Sequence, residues 1–459
     1  MLDPRVFKAY DVRGLYGAEL DEDGAYRIGR AYVEHFEPRS IAVGRDMRLS
    51  SPRMAAAVRE GAADAGADVV DIGLVGTEMV YFAVDSLELD GGICVTASHN
   101  PKDYTGMKIV RRGALPVGGD SGLTDIRDRA LSLQNAEKGQ PPGHGSGGRV
   151  SRGRVTEADV WPGFVDKVLS FIDPASIKPL RVVIDAANGM AGATLPPVLE
   201  RIPQLDVVRC HFEPDGTFPN HEPNPLLPEN REFIVHTTRE ERADLGVAYD
   251  GDADRCFFVD DTGEFVPGDF VTALLAKAVL RKEPGAKVIY DVRASWAVAR
   301  TIEEAGGVPL MNRVGHAFIK HRMRKEGAAF AGEVSAHYYF RDFSQADSGV
   351  VPFLLMLELL SGEEKLSELL APYRERYFLT GEINTPVADV PLKLQELKER
   401  YAAKGGRISH LDGLSVEFDD WRFNVRPSNT EPLLRLNLEA LSHDAMQDRR
   451  DEVLELIRA

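Results

Sequence analysis

Asp250-Gly251-Asp252-Ala253-Asp254-Arg255 sets three carboxylates at alternate positions directly after the apolar run Leu245 to Tyr249. Alternate side chains of an extended segment share a face, so three hard oxygen donors could converge on one cation. Gathering them without a metal is repulsive, which supports a divalent ion. An EF-hand does not fit, because Arg255 stands where the sixth loop position requires glycine. So few oxygen donors leave positions for water or phosphate and favour magnesium over calcium. A solvated acidic turn is the competing reading of the same spacing.

Ser98 lies between small and polar neighbours just beyond Ile93-Cys94-Val95. At the carboxyl edge of a sheet its hydroxyl could act as a nucleophile or carry a phosphoryl group. A cap or turn serine would look the same. No G-x-S-x-G surrounds it, so the hydrolase elbow is not supported. Lys108 could neutralise phosphoryl charge or assist proton transfer, or it could be a surface lysine.

Two further loops are polar in a way that suits sugar phosphates. Arg426, Ser428, Asn429 and Thr430 combine a guanidinium, two hydroxyls and an amide, matching the tetrahedral oxygens of phosphate. An ordinary turn uses similar residues. In Glu333-x-Ser335-x-His337, alternate polar groups could grip vicinal sugar hydroxyls, or form the solvated end of a strand.

Each loop needs an element to position it. Ile41 to Val43 reads as a buried strand, Ser51-Pro52 as an N-cap followed by proline at the first helical turn, Met54 to Ala65 as the helix, and Gly66 as its stop. Val69-Val70 and Ile93 to Val95 are strands, and the second delivers Thr96-Ala97-Ser98-His99-Asn100-Pro101. The order recurs. Val182 to Ile184, a helix near Leu195 to Leu199, Val207-Val208 and Leu245 to Tyr249 lead to the aspartates. Val288 to Tyr290, helices at Ser295 to Ala305 and Phe318 to Arg324, and Ala328 to Ala331 lead to Glu333. Strands alternating with helices imply mostly parallel sheets whose ligands sit beyond the carboxyl ends of the strands. After about residue 370, the strands Leu414 to Phe418, Phe423 to Val425 and Leu433 to Leu438 and a closing helix Ala445 to Arg458 suggest a smaller α+β domain.

Composition narrows the function further. The 459 residues allow about two to four domains. A net charge of −17 argues against nucleic-acid or anionic-membrane partners but leaves small substrates open. Cys94, Cys210 and Cys256 are far apart with no CxxC pair, so neither a disulfide framework nor a structural zinc site is expected. The N-terminus lacks a signal-peptide pattern, and the most apolar stretch, Val350 to Leu357, is too short to span a bilayer. A cytoplasmic protein is the expectation. Gly143, Gly145 and Gly148 match G-x-G-x-x-G in a Gly/Pro/Ser-rich segment, but no strand precedes them, and a mobile loop is preferred to a nucleotide site.

With these loops in this order, the chain resembles the α-D-phosphohexomutases, most closely their bacterial and archaeal phosphomannomutase/phosphoglucomutase branch. The motifs are Phe7-Lys8-Ala9-Tyr10-Asp11-Val12-Arg13-Gly14, Val43-Gly44-Arg45-Asp46, Thr96 to Pro101 with Tyr104-Thr105-Gly106-Met107-Lys108, Asp250 to Arg255, Gly332 to His337, and Arg426 to Thr430. The resemblance implies an α/β fold of four domains around a central cleft, three similar mixed-sheet units and a smaller α+β unit. Their expected bounds are 1–152 with the phosphoserine loop, 153–255 with the metal loop, 256–369 with the sugar loop and 370–459 with the phosphate loop.

It also implies roles. Ser98 would be the phosphoserine, with Asp250, Asp252 and Asp254 holding Mg²⁺ against its phosphate. Glu333, Ser335 and His337, with Arg293, would contact the sugar. Arg426, Ser428, Asn429 and Thr430 would bind the distal phosphate. Arg13, His99, Lys108 and His316 fall at or near family active-site positions, Lys108 and His316 being the proton-transfer candidates. The implied activity interconverts hexose 1- and 6-phosphates of mannose and/or glucose, with a hexose 1,6-bisphosphate as intermediate and activator. Partners would be small hexose phosphates, with the oligomeric state left open.

The alternatives are a phosphoglucosamine mutase, opposed by Asn429 where that branch has glycine, and a Mg²⁺-dependent sugar phosphatase. Three positions depart from the usual pattern, Ala336 for glycine, Arg293 for lysine and Glu78 for proline, and Val334 stands where the family varies. A substrate bearing phosphates also requires positive potential concentrated around Arg13, Lys108, Arg293 and Arg426 within an acidic shell.

Overall fold

The computed structural model describes residues 1–133, 151–362, 364–428 and 433–459. The glycine motif at 143–148 and the phosphate-loop residues Asn429 and Thr430 therefore lie outside the described residues. The chain forms two compact units, Met1–Val266 with His337–Glu363, and Pro267–Ala336 with Glu364–Ala459.

The first unit opens with β1 (Val12–Leu15), α1 (Glu22–Phe36), β2 (Ser40–Arg45), α2 (Ser51–Asp64), β3 (Asp68–Leu74), α3 (Thr77–Ser86), β4 (Gly91–Val95), β5 (Tyr104–Arg111), β6 (Leu115–Pro116), α4 (Leu123–Ser132) and β7 (Val155–Glu157). Its sheet runs β1-β5-β4-β2-β3-β7, with β6 on β5. Strands β4, β2, β3 and β7 are parallel, while β5 pairs antiparallel with β4 and β1. All five residues of β4 are buried, as expected of a strand covered on both faces. Helices α1 and α2 touch backbone to backbone at Gly61, where an added Cβ would lie 2.0 Å from the Tyr26 carbonyl oxygen. The start of α2 differs from the expectation. Ser50 occupies the cap position, and Ser51, inside the helix, donates its hydroxyl to Asp46 Oδ1 at 2.5 Å, the carboxylate that Arg48 pairs with.

Next come α5 (Trp161–Leu169), β8 (Arg181–Asp185), α6 (Ala191–Thr194), α7 (Pro196–Leu199), β9 (Asp206–Cys210), α8 (Pro228–Glu240), β10 (Leu245–Tyr249) and β11 (Cys256–Val259). The sheet order is β11-β10-β8-β9, parallel except at β11.

In the second unit, α9 (Gly268–Lys282), β12 (Lys287–Asp291), α10 (Trp296–Glu304), β13 (Val308–Asn312), α11 (His316–Glu326) and β14 (Phe330–Gly332) build parallel strands in the order β13-β12-β14. Ser295 caps α10 by accepting from the Ala297 amide at 3.0 Å. The chain then contributes β15 (Tyr338–Phe340), β16 (Ala346–Asp347) and α12 (Val350–Leu360) to the first unit. Val350 to Leu357 are all buried in α12, so the most apolar stretch is a core helix. No helix among the described residues is long and apolar enough to cross a membrane.

The second unit closes with α13 (Leu366–Arg374), β17 (Phe378–Pro386), α14 (Val390–Ala403), β18 (Arg407–Ser409), β19 (Leu414–Glu417), β20 (Trp421–Pro427), β21 (Leu433–Ala440) and α15 (His443–Arg458). Its antiparallel sheet runs β17-β21-β20-β19-β18 over a core that includes Tyr401, Trp421, Phe423, Leu436 and Ile457.

Candidate active site

Ser98 stands three residues beyond β4 and is itself buried. Its φ of +50° lies in the left-handed region, which a non-glycine residue keeps only when its surroundings enforce it. Thr96 Oγ1 accepts from the Ser98 amide at 2.9 Å. Arg48 supplies the rest of the constraint. Its fully buried guanidinium donates to the carbonyls of Ser98 (2.7 Å), Asn100 (2.6 Å), Pro101 (2.8 Å) and Tyr104 (3.3 Å), with Nε 3.2 Å from Asp46. Sequence reasoning stopped at Asp46 and missed this residue. The available signal was Asp-x-Arg at a strand end, shared by Asp46/Arg48, Asp11/Arg13 and Asp291/Arg293, each an ion pair. Exposed Asp3/Arg5 has the same spacing, so spacing needs the strand context to be informative.

Ser98 Oγ donates to Asp250 Oδ2 at 3.0 Å and lies 3.2 Å from His99 Nδ1. Asp250, Asp252 and Asp254 are completely buried. Their convergence has a different cause from the one expected. The segment is a turn, closed by Ala253 N–H to Asp250 O at 3.1 Å with Ala253 at φ +60°, and not an extended strand with alternating faces. Arg255 pairs with Asp250 at 2.7 Å, Thr77 donates to Asp252 at 2.5 Å, and Lys108 reaches from β5 to Asp252 at 2.7 Å and also to Asp254. Asp252 Oδ1 and Asp254 Oδ1 are buried without a hydrogen-bond partner among the described residues. The three side chains offer oxygens that lie within 4.8 Å of one another. This donor set fits a hard divalent ion.

The charges in this cluster are strongly coupled to burial. Burial pushes the Asp254 carboxyl well above the usual range, reinforced by Asp252, while Lys108 opposes it. Asp252 is held low because Lys108 and Thr77 outweigh its burial. Burial works against the Lys108 charge, but Asp252 and Asp254 raise it above the ordinary lysine value. Burial, then Arg255 and Arg13, hold His99 well below its usual range, so its ring is neutral. Arg13 spans Asp11 and Asn100, each at 2.7 Å.

His337 belongs to this same unit. Its Nε2 lies 3.7 Å from Asp254 Oδ1, so the structure seats it against the carboxylate triad, whereas Glu333 and Ser335 precede it in the second unit. Ala336, the residue between, has φ +65°, which accounts for the glycine expected there. Glu78, the other notable departure, is buried at the start of α3 and hydrogen-bonded to Ser348.

A separate cluster occupies the second unit. Arg293 binds Asp291 through two nitrogens, at 2.9 and 2.8 Å, and lies 4.0 Å from Glu333. Glu333 accepts from the Gly315 amide at 3.1 Å, directly before His316 opens α11. Arg426 donates to Glu382 at 2.7 Å, Arg435 donates to Glu382 at 3.2 Å and lies 3.4 Å from Ser428, and Arg293 is 3.9 Å from Glu382. Glu382 was not anticipated. It sits on β17, whose register shifts between Leu379 and Glu382, breaking the alternation that would have revealed a strand.

Residues 4–136, 162–263 and 267–377 match the family profiles described as phosphoglucomutase/phosphomannomutase alpha/beta/alpha domains I, II and III, and residues 382–456 match the C-terminal domain. A phosphomannomutase of Vibrio cholerae serotype O1 is 45% identical over 98% of each chain. The chain belongs to the phosphoglucomutase/phosphomannomutase family. It is a phosphohexomutase, and therefore an isomerase. A phosphomannomutase of Escherichia coli K12 is 44% identical, covering 98% of this chain and 97% of that one. The crystal structure of a phosphoglucomutase/phosphomannomutase family protein from Burkholderia thailandensis superposes with a TM-score of 0.87 at 33% identity, covering 99% and 97% of the two chains. Phosphohexomutases of this family use a metal, and the buried triad could bind one.

Proposed function

We propose that this phosphohexomutase interconverts the 1- and 6-phosphates of mannose and/or glucose, with Ser98 as the phosphoryl carrier and a hexose 1,6-bisphosphate as intermediate. The observation that carries this reading is the Ser98 hydroxyl 3.0 Å from Asp250, beside two buried carboxylate oxygens without hydrogen-bond partners among the described residues.

Asp250, Asp252 and Asp254 would hold Mg²⁺ beside the Ser98 phosphate. That ion would supply positive charge to the oxygens of the transferring group. The remaining chemistry falls to the chain's own groups. In the first half-reaction the bond from phosphorus to Ser98 Oγ breaks, and a bond from phosphorus to a sugar hydroxyl oxygen forms. That hydroxyl loses its proton to a base. The second half-reaction reverses these events at the other end of the sugar. Lys108, kept protonated by Asp252 and Asp254, serves as a fixed cation, and His316 is the remaining proton-transfer candidate. Neutral His99 and Arg13 orient the loop around Ser98. Arg48 holds that loop's carbonyls, fixing the direction of the hydroxyl.

In the second unit, Arg293, Glu333 and Ser335 would bind sugar hydroxyls, and Arg426 and Ser428, with Asn429 and Thr430, the phosphate that is not reacting. His337 would act beside Asp254. The bisphosphate reading requires the phosphate site to accept either end of the sugar. Guanidinium groups suit that task because they recognise phosphate without regard to the sugar attached.

The test is a comparison of kcat/KM for mannose 1-phosphate, glucose 1-phosphate and glucosamine 1-phosphate, with catalytic bisphosphate and Mg²⁺ supplied. The expected product is the 6-phosphate of mannose or glucose, without stoichiometric release of phosphate. A preference for glucosamine 1-phosphate, or phosphate released to water, would contradict the proposal.

A further inference from the structure

Asp185, the last residue of β8, lies outside the site described above. It is 1% exposed, and two histidines face its carboxylate. His211 Nδ1 is 2.9 Å from Oδ1, and His221 Nε2 is 2.9 Å from Oδ2. One carboxylate oxygen of Asp185 and one ring nitrogen from each histidine lie within 4.8 Å of one another. The imidazoles keep 17% and 14% of their surface exposed, which leaves access for an ion and its water.

The proton positions make this arrangement informative. His221 Nδ1 is 2.9 Å from the Glu222 carbonyl, an oxygen that can only accept, so Nδ1 carries a proton. A neutral His221 then presents the lone pair of Nε2 to a carboxylate oxygen at hydrogen-bond distance, a repulsive contact. Positive charge is required at that edge, either as a second ring proton or as a metal ion. An imidazole whose Nδ1–H is fixed on a backbone carbonyl while Nε2 faces the ligand position is also the outer-shell arrangement that orients metal-bound histidines.

We propose that Asp185, His211 and His221 form a second cation site, suited to a transition ion of the zinc class. Two nitrogens and one oxygen match that ion's preferences, whereas the all-oxygen triad of Asp250, Asp252 and Asp254 suits magnesium. Solvent would complete the coordination shell.

The site's place in the fold gives it a structural role. Asp185 is opposite Ala248 on β10, two residues before Asp250. The loop after Asp185 holds the metal turn, with the Met190 amide donating to Gly251 O at 2.8 Å. The loop between His211 and His221 lies against the support of Ser98. Its Gly216 approaches Arg48 so closely that an added Cβ would be 2.6 Å from the Arg48 Cα, and Phe218 faces the Arg48 guanidinium at 5.2 Å. An ion at Asp185 would therefore brace both loops without touching substrate.

Cobalt(II) is a suitable probe, since its visible absorption reports nitrogen ligation. The full-length protein is titrated with Co²⁺ in millimolar Mg²⁺, which saturates oxygen-only sites. One equivalent should bind with visible bands, Zn²⁺ should displace it, and His211→Gln and His221→Gln should each abolish binding. His236→Gln, at an exposed helix position paired with Glu240, should leave it intact. In the wild-type protein, Co²⁺ should broaden the imidazole resonances of His211 and His221, a readout that stands if either variant fails to fold. Equal Co²⁺ binding by wild type and His221→Gln would overturn the site. So would no binding by wild type together with ¹⁵N shifts showing both His221 ring nitrogens protonated, because the required charge would then be a proton.

Discussion

The cluster around Ser98 and the cluster around Glu382 balance charge in opposite ways. Asp250, Asp252 and Asp254 are ion-paired by Lys108 and Arg255, and two carboxylate oxygens have no hydrogen-bond partner among the described residues. Arg293, Arg426 and Arg435 instead converge on Glu382, with Asp291 taking both forks of Arg293. The first cluster is short of positive charge and suits a cation. In the second, cations already hold a carboxylate, which the phosphate proposed to bind there would have to replace. Fixed, buried groups suit stabilisation of a transition state, and exchangeable partners suit binding. Damage to the first cluster should therefore fall on kcat, and damage to the second on KM.

The largest effect is expected at the proposed phosphoryl carrier, where Ser98→Ala should lower turnover by about 10³-fold or more. Steady-state rates with hexose 1-phosphate measure it, and retained turnover would break the contrast at once. Removing divalent ions, or Asp252→Asn, should lower kcat by about 10²–10³-fold. Mg²⁺ should restore the chelated wild type, and a loss confined to KM would erase the distinction between the clusters.

Arg48→Ala leaves Asp46 and four carbonyls without their buried partner, so a loss of about 3–5 kcal/mol in urea unfolding is expected, with a lower kcat. Arg48→Lys should recover stability more than kcat, since an ammonium keeps the charge but not the fork. Arg426→Ala should raise KM by about 10–100-fold, the value of one or two charge-assisted hydrogen bonds, with kcat nearly unchanged. A kcat defect of equal size would assign Arg426 to the reacting centre.

The smallest effect on turnover belongs to Asp269, whose carboxyl is raised to about 6 by burial and by the neighbouring Glu439. Its folded value lies above its unfolded value, so the folded state holds the proton more tightly. Stability falls as pH rises from about 4 to about 6 and is flat above that. Asp269→Asn should remove that decline, gaining on the order of 1–3 kcal/mol over wild type at pH 7.5 relative to pH 4.5, as read from urea unfolding at both values.

Much of this architecture was legible in the sequence where local pattern and tertiary role agree. Buried strands such as β4 and β10 read as unbroken apolar runs, and each ends in the polar loop that it positions. Ser98, Lys108 and the aspartates were identified as a group, and the structure brings them within hydrogen-bond reach. The reason for their convergence was not legible, because a left-handed Ala253 leaves no mark on composition. Arg48 was hidden because its partners are backbone carbonyls, which every sequence has. Glu382 was hidden by a strand whose register shift disrupts its period. His337 alternates with Glu333 and Ser335 in the sequence, and the left-handed backbone at Ala336, before the side chain that lies 3.7 Å from Asp254, leaves no mark there. In each case the missing information was a backbone conformation or a contact distant in sequence.

The central claim is that Ser98 carries the phosphoryl group. Its most direct test is peptide mapping by mass spectrometry after incubation with a hexose 1,6-bisphosphate and Mg²⁺. One phosphoryl group should be found on Ser98, and it should be discharged by added hexose monophosphate with formation of the bisphosphate. Phosphate located on another residue, or a Ser98 phosphate that hexose monophosphate does not remove, would contradict the account.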